Sequence, residues 1–280
     1  MNHTKETPPP IPVANKSLGQ HYLNNQNVID HITSDWSSQS EYILEVGPGP
    51  AVLTQKLKLH QRPLHVIEKD SRFVPQLKEH LTGDQILITD ALEIEFALYL
   101  NSMDWNKNVW LVSNLPYNVG VPLMINFFKA PQVKYLTLMM QKEVGEKIFN
   151  WTQRKTTKLM GPLMALSHNY FTIEHRCNVA PACFSPPPKV DSVVLSFERK
   201  ENPKVEFSDF DYYQKYLRIL FSKRRKQMAN VIKNSFVKDK FEEVLLSRGK
   251  KLSDRAETLT IDDCAEIFNQ THKEGQLFLG

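Results

Sequence analysis

The chain has 280 residues, of which 35 are Lys or Arg and 31 are Asp or Glu, and its formal net charge is +4. Its hydrophobic content of 41% and charged content of 24% are ordinary for a globular protein, so they exclude wholesale disorder. This length allows one large domain or two unequal ones. The charge is uneven, because residues 215–251 carry 12 basic and 3 acidic side chains while residues 1–180 carry 17 and 16.

The N-terminal residues 1–15 are polar and proline-rich, and they predict a disordered or extended arm rather than a signal peptide. The cysteines Cys177, Cys183 and Cys264 are odd in number and lack metal-binding spacing. We therefore expect neither a disulfide framework nor a metal site, and a reducing, cytoplasmic compartment. No apolar run approaches the roughly 18 residues of a membrane span, so we expect no membrane association.

Short apolar runs alternate with helical patterns between residues 41 and 141. Five of the runs predict buried strands: Tyr42–Val46, Leu64–Glu68, Ile86–Thr89, Val109–Ser113 and Tyr135–Met140. Helical apolar spacing lies between them, as in Ala51–Leu59 and Arg72–Leu81. This alternation favours βαβ units and a mostly parallel sheet covered on both faces.

The pattern changes towards the C-terminus. Phe171–Val179 and Asp191–Glu198 predict two further strands as a pair at a sheet edge, and Glu201–Asp209 predicts a linker. Three helical patterns without a strand signal follow: Tyr212–Ser235, Lys238–Ser247 and Ile261–Gln270. We therefore expect an α/β domain over residues 16–200 and a small all-helical domain over residues 201–280.

A glycine motif, Glu45-Val46-Gly47-Pro48-Gly49, ends the first predicted strand. Glycines there allow a sharp turn and close approach of the backbone to a ligand, with a helix N-terminus behind them. A dinucleotide-binding motif requires a third glycine where this chain has Val52, so a nicotinamide-dependent dehydrogenase loses support. The alternative is a tight turn that binds nothing.

Acidic residues follow the next two strands at the same predicted sheet edge. Glu68 is placed to accept hydrogen bonds from both ribose hydroxyls of an adenosine-containing cofactor. Asp90 is placed to accept a hydrogen bond from an adenine amino group. Either acid alone is more often a surface residue or a helix cap. Their convergence with the glycine motif at the carboxyl edge of one sheet favours a cofactor site.

The sequence Asn114-Leu115-Pro116-Tyr117 follows the fourth predicted strand. An exocyclic adenine amine is a poor nucleophile because its lone pair is delocalised into the ring. The Asn114 amide oxygen and the Leu115 carbonyl can accept its two N–H groups, Pro116 fixes the loop, and Tyr117 offers a stacking face. The alternative is a proline turn with an Asn cap and a core Tyr.

These motifs together resemble the ribosomal RNA adenine N6,N6-dimethyltransferases, most closely the branch that acts on small-subunit rRNA. The resemblance covers nearly the whole chain from Lys16. Its further stretches are Lys16–Leu23, Glu45–Thr54, Glu68–Asp70, Thr89–Leu92, Gln141–Val144, Phe184–Ser192, Phe221–Lys226 and Arg255–Leu259. It implies a Rossmann-like S-adenosylmethionine-dependent methyltransferase fold, with a mostly parallel seven-stranded sheet and a small all-helical C-terminal domain.

The resemblance also implies roles for individual residues. The S-adenosylmethionine site would include His21, Leu23, Glu45, Gly47, Gly49, Glu68, Asp90, Ala91 and Asn114. His21 stands where many relatives have Asn, and Ala51 where many have Gly. Phe184 would sandwich the target base against Tyr117, with a core Phe as the equal alternative. Because the sulfonium of the cofactor is already activated, catalysis would consist mainly of in-line positioning by Asn114, Leu115, Pro116 and Tyr117.

The basic stretch contains a predicted helix, Phe221–Asn234, that carries Lys223, Arg224, Arg225 and Lys226. A charge run is usually a solvated helix face. In an enzyme acting on folded RNA, a +9 block instead favours phosphate binding, so we expect residues 201–280 to bind RNA.

The expected reaction is transfer of methyl groups to the N6 atoms of two adjacent adenosines in the loop of the 3′-terminal helix of 16S rRNA. The resemblance implies S-adenosylhomocysteine as product, no metal, an immature small ribosomal subunit as partner, and a monomeric enzyme. The alternatives are methylation of large-subunit rRNA, an assembly factor whose methylation is incidental or lost, and, more distantly, a dehydrogenase.

Overall fold

The computed structural model describes residues 9–149, 160–223, 226–233 and 238–273. Within them, seven strands form one sheet, and its central strands are mostly continuous apolar runs, as expected for strands buried on both faces. These strands are β1 (Tyr42–Val46), β2 (Leu64–Glu68), β3 (Ile86–Ile88), β4 (Val109–Asn114), β5 (Val133–Gln141), β6 (Phe171–Val179) and β7 (Ser192–Arg199).

The strand order in this sheet is β3-β2-β1-β4-β5-β7-β6. Strands β1 to β5 pair in parallel, and β7 pairs antiparallel with β5. The predicted mostly parallel α/β sheet is thus confirmed, with the last two strands side by side at one end. Val46 is level with Ile67 and Ser113, so the ends of β1, β2 and β4 meet at one edge, where the strand order reverses.

Helices connect the strands and form the C-terminal part of the chain. Those up to β6 are α1 (Gln26–Thr33), α2 (Thr54–Leu57), α3 (Val74–Lys78), α4 (Phe96–Ser102), α5 (Gly120–Phe128), α6 (Lys142–Glu146) and α7 (Pro162–Tyr170). Those after β7 are α8 (Phe210–Leu220), α9 (Met228–Ile232), α10 (Lys238–Ser247) and α11 (Ile261–Lys273). The predicted helical C-terminal region is therefore present.

The chain divides into two compact units. An α/β unit comprises residues 9–145 and Glu174–Glu198, and a helical unit comprises the described parts of residues 146–173 and 199–273. Apolar strand residues such as Trp110 and Val112 form the core of the α/β unit, whereas Tyr213, Tyr216 and Phe268 are buried in the helical unit. The domain boundaries expected from the sequence, at residues 15 and 200, stay predictions.

Two predicted helices are shorter in the structure. The pattern over Ala51–Leu59 predicts one helix, but Ala51 has a φ of 63°, which is incompatible with a right-handed helix, and α2 begins only at Thr54. A 3₁₀ turn, Lys58–His60, completes the segment. In Arg72–Leu81 the helical pattern likewise divides into a 3₁₀ turn and the five-residue α3.

The prediction of a continuous helix over Phe221–Asn234 is wrong. Helix α8 ends at Leu220, and the next helix begins at Met228. The chain turns because the N–H groups of Met228 and Ala229 donate to the carbonyls of Asp254 and Leu252 instead of to the preceding helical turn. The apolar side chains of Leu220, Met228 and Ile232 in and beside this segment are nonetheless buried.

The described part of the N-terminal arm, residues 9–15, has no helix or strand. Its carbonyl groups accept hydrogen bonds from the α/β unit: Pro10 from Gln76 at 2.8 Å and Val13 from Arg72 at 3.3 Å. These bonds hold the arm in an extended conformation beside the start of α3.

A buried carboxylate, Asp35, ties the segment after α1 to the sheet. It accepts hydrogen bonds from the hydroxyls of Thr137 at 2.7 Å and Ser196 at 2.5 Å, and it pairs with Arg176 at 3.3 Å. Burial raises the pKa of Asp35 despite these partners. The network crosses β5, β6 and β7 and fixes their packing on this face.

Candidate active site

A cleft opens at the carboxyl edge of the sheet, and its empty space is about 1160 Å³ including the part open to solvent. It is lined by the segments that follow β1, β2, β3 and β4, together with residues 18–23 from the N-terminal segment. The cleft therefore lies at the topological switch point, where open α/β sheets bind their ligands.

The loop after β1 forms the floor of the cleft. Gly47 and Gly49 both line the cleft and adopt positive φ angles of 74° and 52°. A Cβ atom at either position would meet nothing within 4 Å, so the backbone conformation rather than space requires glycine. Ala51 adopts φ 63° as well, although it carries a side chain. The loop geometry expected of a glycine is therefore kept at Ala51, at the cost of backbone strain.

Glu68 ends β2 with its carboxylate fixed by the backbone. Oε2 accepts from the Gly49 N–H at 2.9 Å and Oε1 from the Asp70 N–H at 2.7 Å. Burial raises the pKa of Glu68, and the two backbone hydrogen bonds partly oppose this effect. Each oxygen keeps a further lone pair, so this carboxylate can accept from a vicinal diol such as that of ribose.

Asp90 and Ala91 line the cleft after β3. Asp90 caps the following 3₁₀ turn by accepting from the Leu92 N–H at 3.0 Å, and its other oxygen accepts from Lys69 Nζ at 2.5 Å. The Lys69 hydrogen bond lowers the pKa of Asp90, so an ionised acceptor faces the cleft. An incoming amino group must share the Asp90 carboxylate with Lys69 or displace the Lys69 ammonium group from it.

Glu45 lies beneath the cleft rather than in its lining. Its side chain is buried, and Oε2 accepts from the Thr54 hydroxyl at 2.6 Å. Burial raises the pKa of Glu45 to about 8, and the nearby Glu68 carboxylate adds to the rise. Glu45 is therefore placed to support the glycine loop from below, joined to α2 through Thr54.

The N-terminal segment, residues 15–23, forms one wall of the cleft. Gln20 donates to Asp70 at 2.9 Å, and Asp70 forms an ion pair with Arg72 at 2.6 Å, which lowers its pKa to about 2. Leu23 pairs in a short antiparallel ladder with Phe184. The wall is thus attached both to the segment after β2 and to the segment before β7.

The loop after β4 forms the facing wall, and Asn114, Leu115, Pro116 and Tyr117 all line the cleft. The Asn114 amide nitrogen donates to the main-chain carbonyl of His21 at 3.3 Å. Because that bond requires Nδ2 on the His21 side, Oδ1 is left to accept a hydrogen bond. The Tyr117 hydroxyl is 2.6 Å from Ser192 Oγ, which fixes the tip of its ring.

Phe184 is not among the lining residues of the cleft. Its side chain is 3% exposed and packs in the core cluster that also contains Leu23, Phe73 and Val179. These contacts favour the core alternative over a base-stacking role in this conformation, and the predicted sandwich with Tyr117 stays a prediction.

The predicted RNA-binding residues lie in the helical unit. Lys223 and Lys226 are exposed on the turn between α8 and α9, where the Lys226 N–H donates to the Lys223 carbonyl. Arg224 and Arg225 lie outside the described residues. The two described lysines are therefore presented by a turn and not by a helix face.

Residues that the sequence motifs did not assign to the site also contribute to it. Gln20 and Lys69 line the cleft and hold Asp70 and Asp90, and Ser192 holds Tyr117. Gln20 and Lys69 are next to predicted site residues, which was an available signal. Ser192 is 75 positions from its partner, and its contact depends on the tertiary fold.

Among the described residues, no group of three or more His, Cys, Asp or Glu side chains is arranged to hold a metal ion. In the same part of the chain, no helix is long and apolar enough to cross a membrane.

Residues 12–273 match the family model described as ribosomal RNA adenine dimethylase. The chain is 31% identical over 265 residues to ribosomal RNA small subunit methyltransferase A of Clostridium acetobutylicum, covering 92% of this chain and 94% of that protein. It is 33% identical over 262 residues to the protein of the same name from Geobacter metallireducens, covering 91% and 94%.

Two solved structures have a similar fold. A dimethyladenosine transferase from Plasmodium falciparum superposes with a TM-score of 0.70 at 23% identity, covering 92% of this chain and all of that one. The 23S rRNA methyltransferase ErmE superposes with a TM-score of 0.64 at 21% identity, covering 89% and 98%. At these identities the likeness establishes the Rossmann-like methyltransferase fold.

Proposed function

The chain belongs to the ribosomal RNA adenine dimethylase family, and from this premise we propose that it methylates small-subunit rRNA. It transfers methyl groups from S-adenosylmethionine to the N6 atoms of two adjacent adenosines in the loop of the 3′-terminal helix of 16S rRNA. The products are N6,N6-dimethyladenosines and S-adenosylhomocysteine. The choice of the small subunit is supported by the names of the curated relatives.

The orientation of the Asn114 amide carries this proposal. Its nitrogen is engaged by the His21 carbonyl, so its oxygen is the free acceptor at the wall of the cleft. An acceptor there binds an N–H of the target amine and orients the nitrogen lone pair. The Leu115 carbonyl is the second acceptor for an unmethylated amine. On the first transfer the nitrogen gains the methyl group and releases one proton to the solvent at the mouth of the cleft. One N–H then remains, so the same loop serves both methylations.

The residues of the cleft fit S-adenosylmethionine. Glu68 presents a fixed carboxylate for the ribose hydroxyls, Asp90 an acceptor for the adenine amino group, and the Gly47–Gly49 turn permits close approach. His21, Leu23 and Ala91 complete the predicted contacts, and Glu45 supports them from below. The bound cofactor supplies a methyl group that its sulfonium already activates. This chain therefore needs no strong base to activate the target amine.

The remaining residues position the target. Tyr117 offers a ring at the cleft wall, fixed at its hydroxyl by Ser192, and Pro116 restricts the loop that carries it. An adenine in an rRNA loop must leave its stack to reach Asn114, and stacking on Tyr117 offsets part of that cost. Rate enhancement arises from holding the amine in line with the methyl group.

The basic stretch, residues 215–251, binds the RNA. Lys223, Arg224, Arg225 and Lys226 belong to a segment of net charge +9, which attracts phosphate without reading sequence. We assign the helical unit this role, with an immature small subunit as the substrate and a monomeric enzyme acting during ribosome biogenesis.

The direct test supplies methyl-labelled S-adenosylmethionine and under-methylated small subunits, and maps the product by primer extension and mass spectrometry. Dimethyladenosine in the loop of the 3′-terminal helix is expected. Asn114→Ala should lower the rate about a hundredfold, whereas Asn27→Ala, a change of an exposed amide on α1, should not. Large subunits are offered in a parallel reaction as the alternative substrate. Label on large subunits instead of small ones, label on no RNA, or a fully active Asn114→Ala variant would refute the proposal.

A further inference from the structure

The imidazole of His21 lies where three segments of the α/β unit meet. Its ring stacks on Tyr117, with centroids 5.4 Å apart and planes 30° apart. Its Nδ1 is 2.8 Å from the Pro186 carbonyl oxygen, which can only accept, so Nδ1 carries the proton and donates. Its main-chain carbonyl accepts from the Asn114 amide. One residue therefore contacts the loop after β4 twice and the segment before β7 once.

These contacts restrain the two side chains that the proposed reaction needs. Tyr117 is held at its hydroxyl by Ser192 and against one face by the His21 ring. Asn114 is held with its acceptor oxygen free by the His21 carbonyl. A phenol held only at its tip could still turn about its long axis, so the ring contact is what sets its plane.

The spacing of the rings decides which face of Tyr117 is available. A base inserted between two rings needs them about 7 Å apart, since each stacking gap is about 3.5 Å. The separation of 5.4 Å excludes an adenine between His21 and Tyr117 in this arrangement. The hydrogen bond from Nδ1 to Pro186 keeps His21 in place. A target adenine that stacks on Tyr117 would therefore use the face opposite to His21, with His21 behind the ring.

We propose that His21 is a positioning residue for the target adenine, acting through its ring on Tyr117 and not primarily through the cofactor. This inference rests on the proposed function, because it concerns how the methyl acceptor is held. It differs from the role that the sequence resemblance gives His21, which is contact with S-adenosylmethionine. The two roles can be distinguished experimentally. Positioning of the adenine affects kcat/KM for the small subunit, whereas contact with the cofactor affects the Kd for S-adenosylmethionine.

The experiment measures kcat and KM for under-methylated small subunits, and the Kd for S-adenosylmethionine by calorimetry, in wild type and three variants. His21→Ala removes the ring and should lower kcat/KM for the subunit about tenfold, with the cofactor Kd within threefold of wild type. His21→Phe keeps a ring without the Nδ1 donor and should recover most of the loss. His31→Ala, a change of an exposed histidine on α1, is the matched control.

The outcomes separate the two proposals. A His21→Ala variant with wild-type kcat/KM, or one whose cofactor Kd weakens as much as kcat/KM falls, would overturn the positioning role while leaving the methyltransferase assignment intact. Failure of His21→Phe to recover activity, in a protein with wild-type thermal stability, would also overturn it. Absence of transfer by the wild type would instead refute the proposed function, and the role of His21 with it.

Discussion

Replacing Glu45 by Gln tests whether the carboxyl group beneath the glycine loop is neutral in the folded protein. The side chain is 1% exposed, and its pKa is raised to about 8 by burial and by the neighbouring Glu68. Gln has nearly the same shape, and its amide oxygen can accept the hydrogen bond that Thr54 donates. The substitution therefore removes the titration while changing little else.

The expected magnitude follows from proton linkage. Between the ordinary glutamate pKa of 4.5 and about 8, folded Glu45 holds a proton that the unfolded chain has released. The native state then binds more protons, so the free energy of unfolding falls as pH rises, by about 1.4 kcal/mol for each pH unit. Between pH 5 and pH 7 the wild type should lose about 3 kcal/mol relative to Glu45→Gln.

Urea unfolding at a series of pH values measures this difference. Trp36, Trp105 and Trp110 lie in the α/β unit, and their fluorescence reports its unfolding. Glu68 titrates in both proteins, so its contribution largely cancels when the two curves are subtracted. Glu79→Gln, a change of an exposed glutamate at the end of α3, serves as the surface-charge control.

A constant difference between wild type and Glu45→Gln from pH 5 to pH 7 would refute the reasoning, because it would mean that folded Glu45 is ionised. A wild type that instead gains stability relative to Glu45→Gln as pH rises would mean that the ionised carboxylate is stabilised by interactions stronger than the hydrogen bond from Thr54.

Three further variants, one of them a double substitution, test other parts of the structure. Gly19→Ala should lower the free energy of unfolding by about 1–2 kcal/mol in urea titrations, because Gly19 has φ 67° and an added Cβ would lie 3.2 Å from a side-chain oxygen. Asp35→Ala should cost about 3 kcal/mol in the same assay, since it leaves Arg176 and two buried hydroxyls without their shared acceptor. Changing Lys223 and Lys226 together to Ala should reduce the slope of log K for rRNA binding against log salt by about 1.5, and an unchanged slope would contradict phosphate contact.

The central strands β1, β2, β4 and β5 could be predicted almost completely because they are buried on both faces. Their apolar runs are continuous, so the bounds of β1 and β2 agree with the sequence pattern residue for residue. The helices were less predictable. Ala51 takes a left-handed conformation that composition does not reveal, and the segment after α8 turns away to bond with residues 252–254. The second departure depends on backbone partners far from the segment itself.

The candidate site shows the same division. Glu68, Asp90 and Asn114 could be placed from sequence, because parallel strands end at one edge and each residue follows its strand directly. Contacts between segments that are distant in the sequence could not be predicted in this way. The Tyr117 to Ser192 bond and the packing of Phe184 in the core depend on how the segment before β7 returns to the N-terminal segment. The local sequence pattern carries no information about this contact between the segment before β7 and the N-terminal segment.

The N-terminal segment, residues 15–23, links the two halves of the cleft. On the cofactor side, Gln20 holds Asp70, whose N–H in turn holds the Glu68 carboxylate. On the target side, the next residue, His21, holds Asn114 and Tyr117. Because adjacent residues restrain both sides, an altered position of this segment changes the proposed ribose acceptor, Glu68, and the proposed amine acceptor, Asn114, together. Under the proposed function, one short stretch of chain would therefore align the donor and the acceptor of the methyl group.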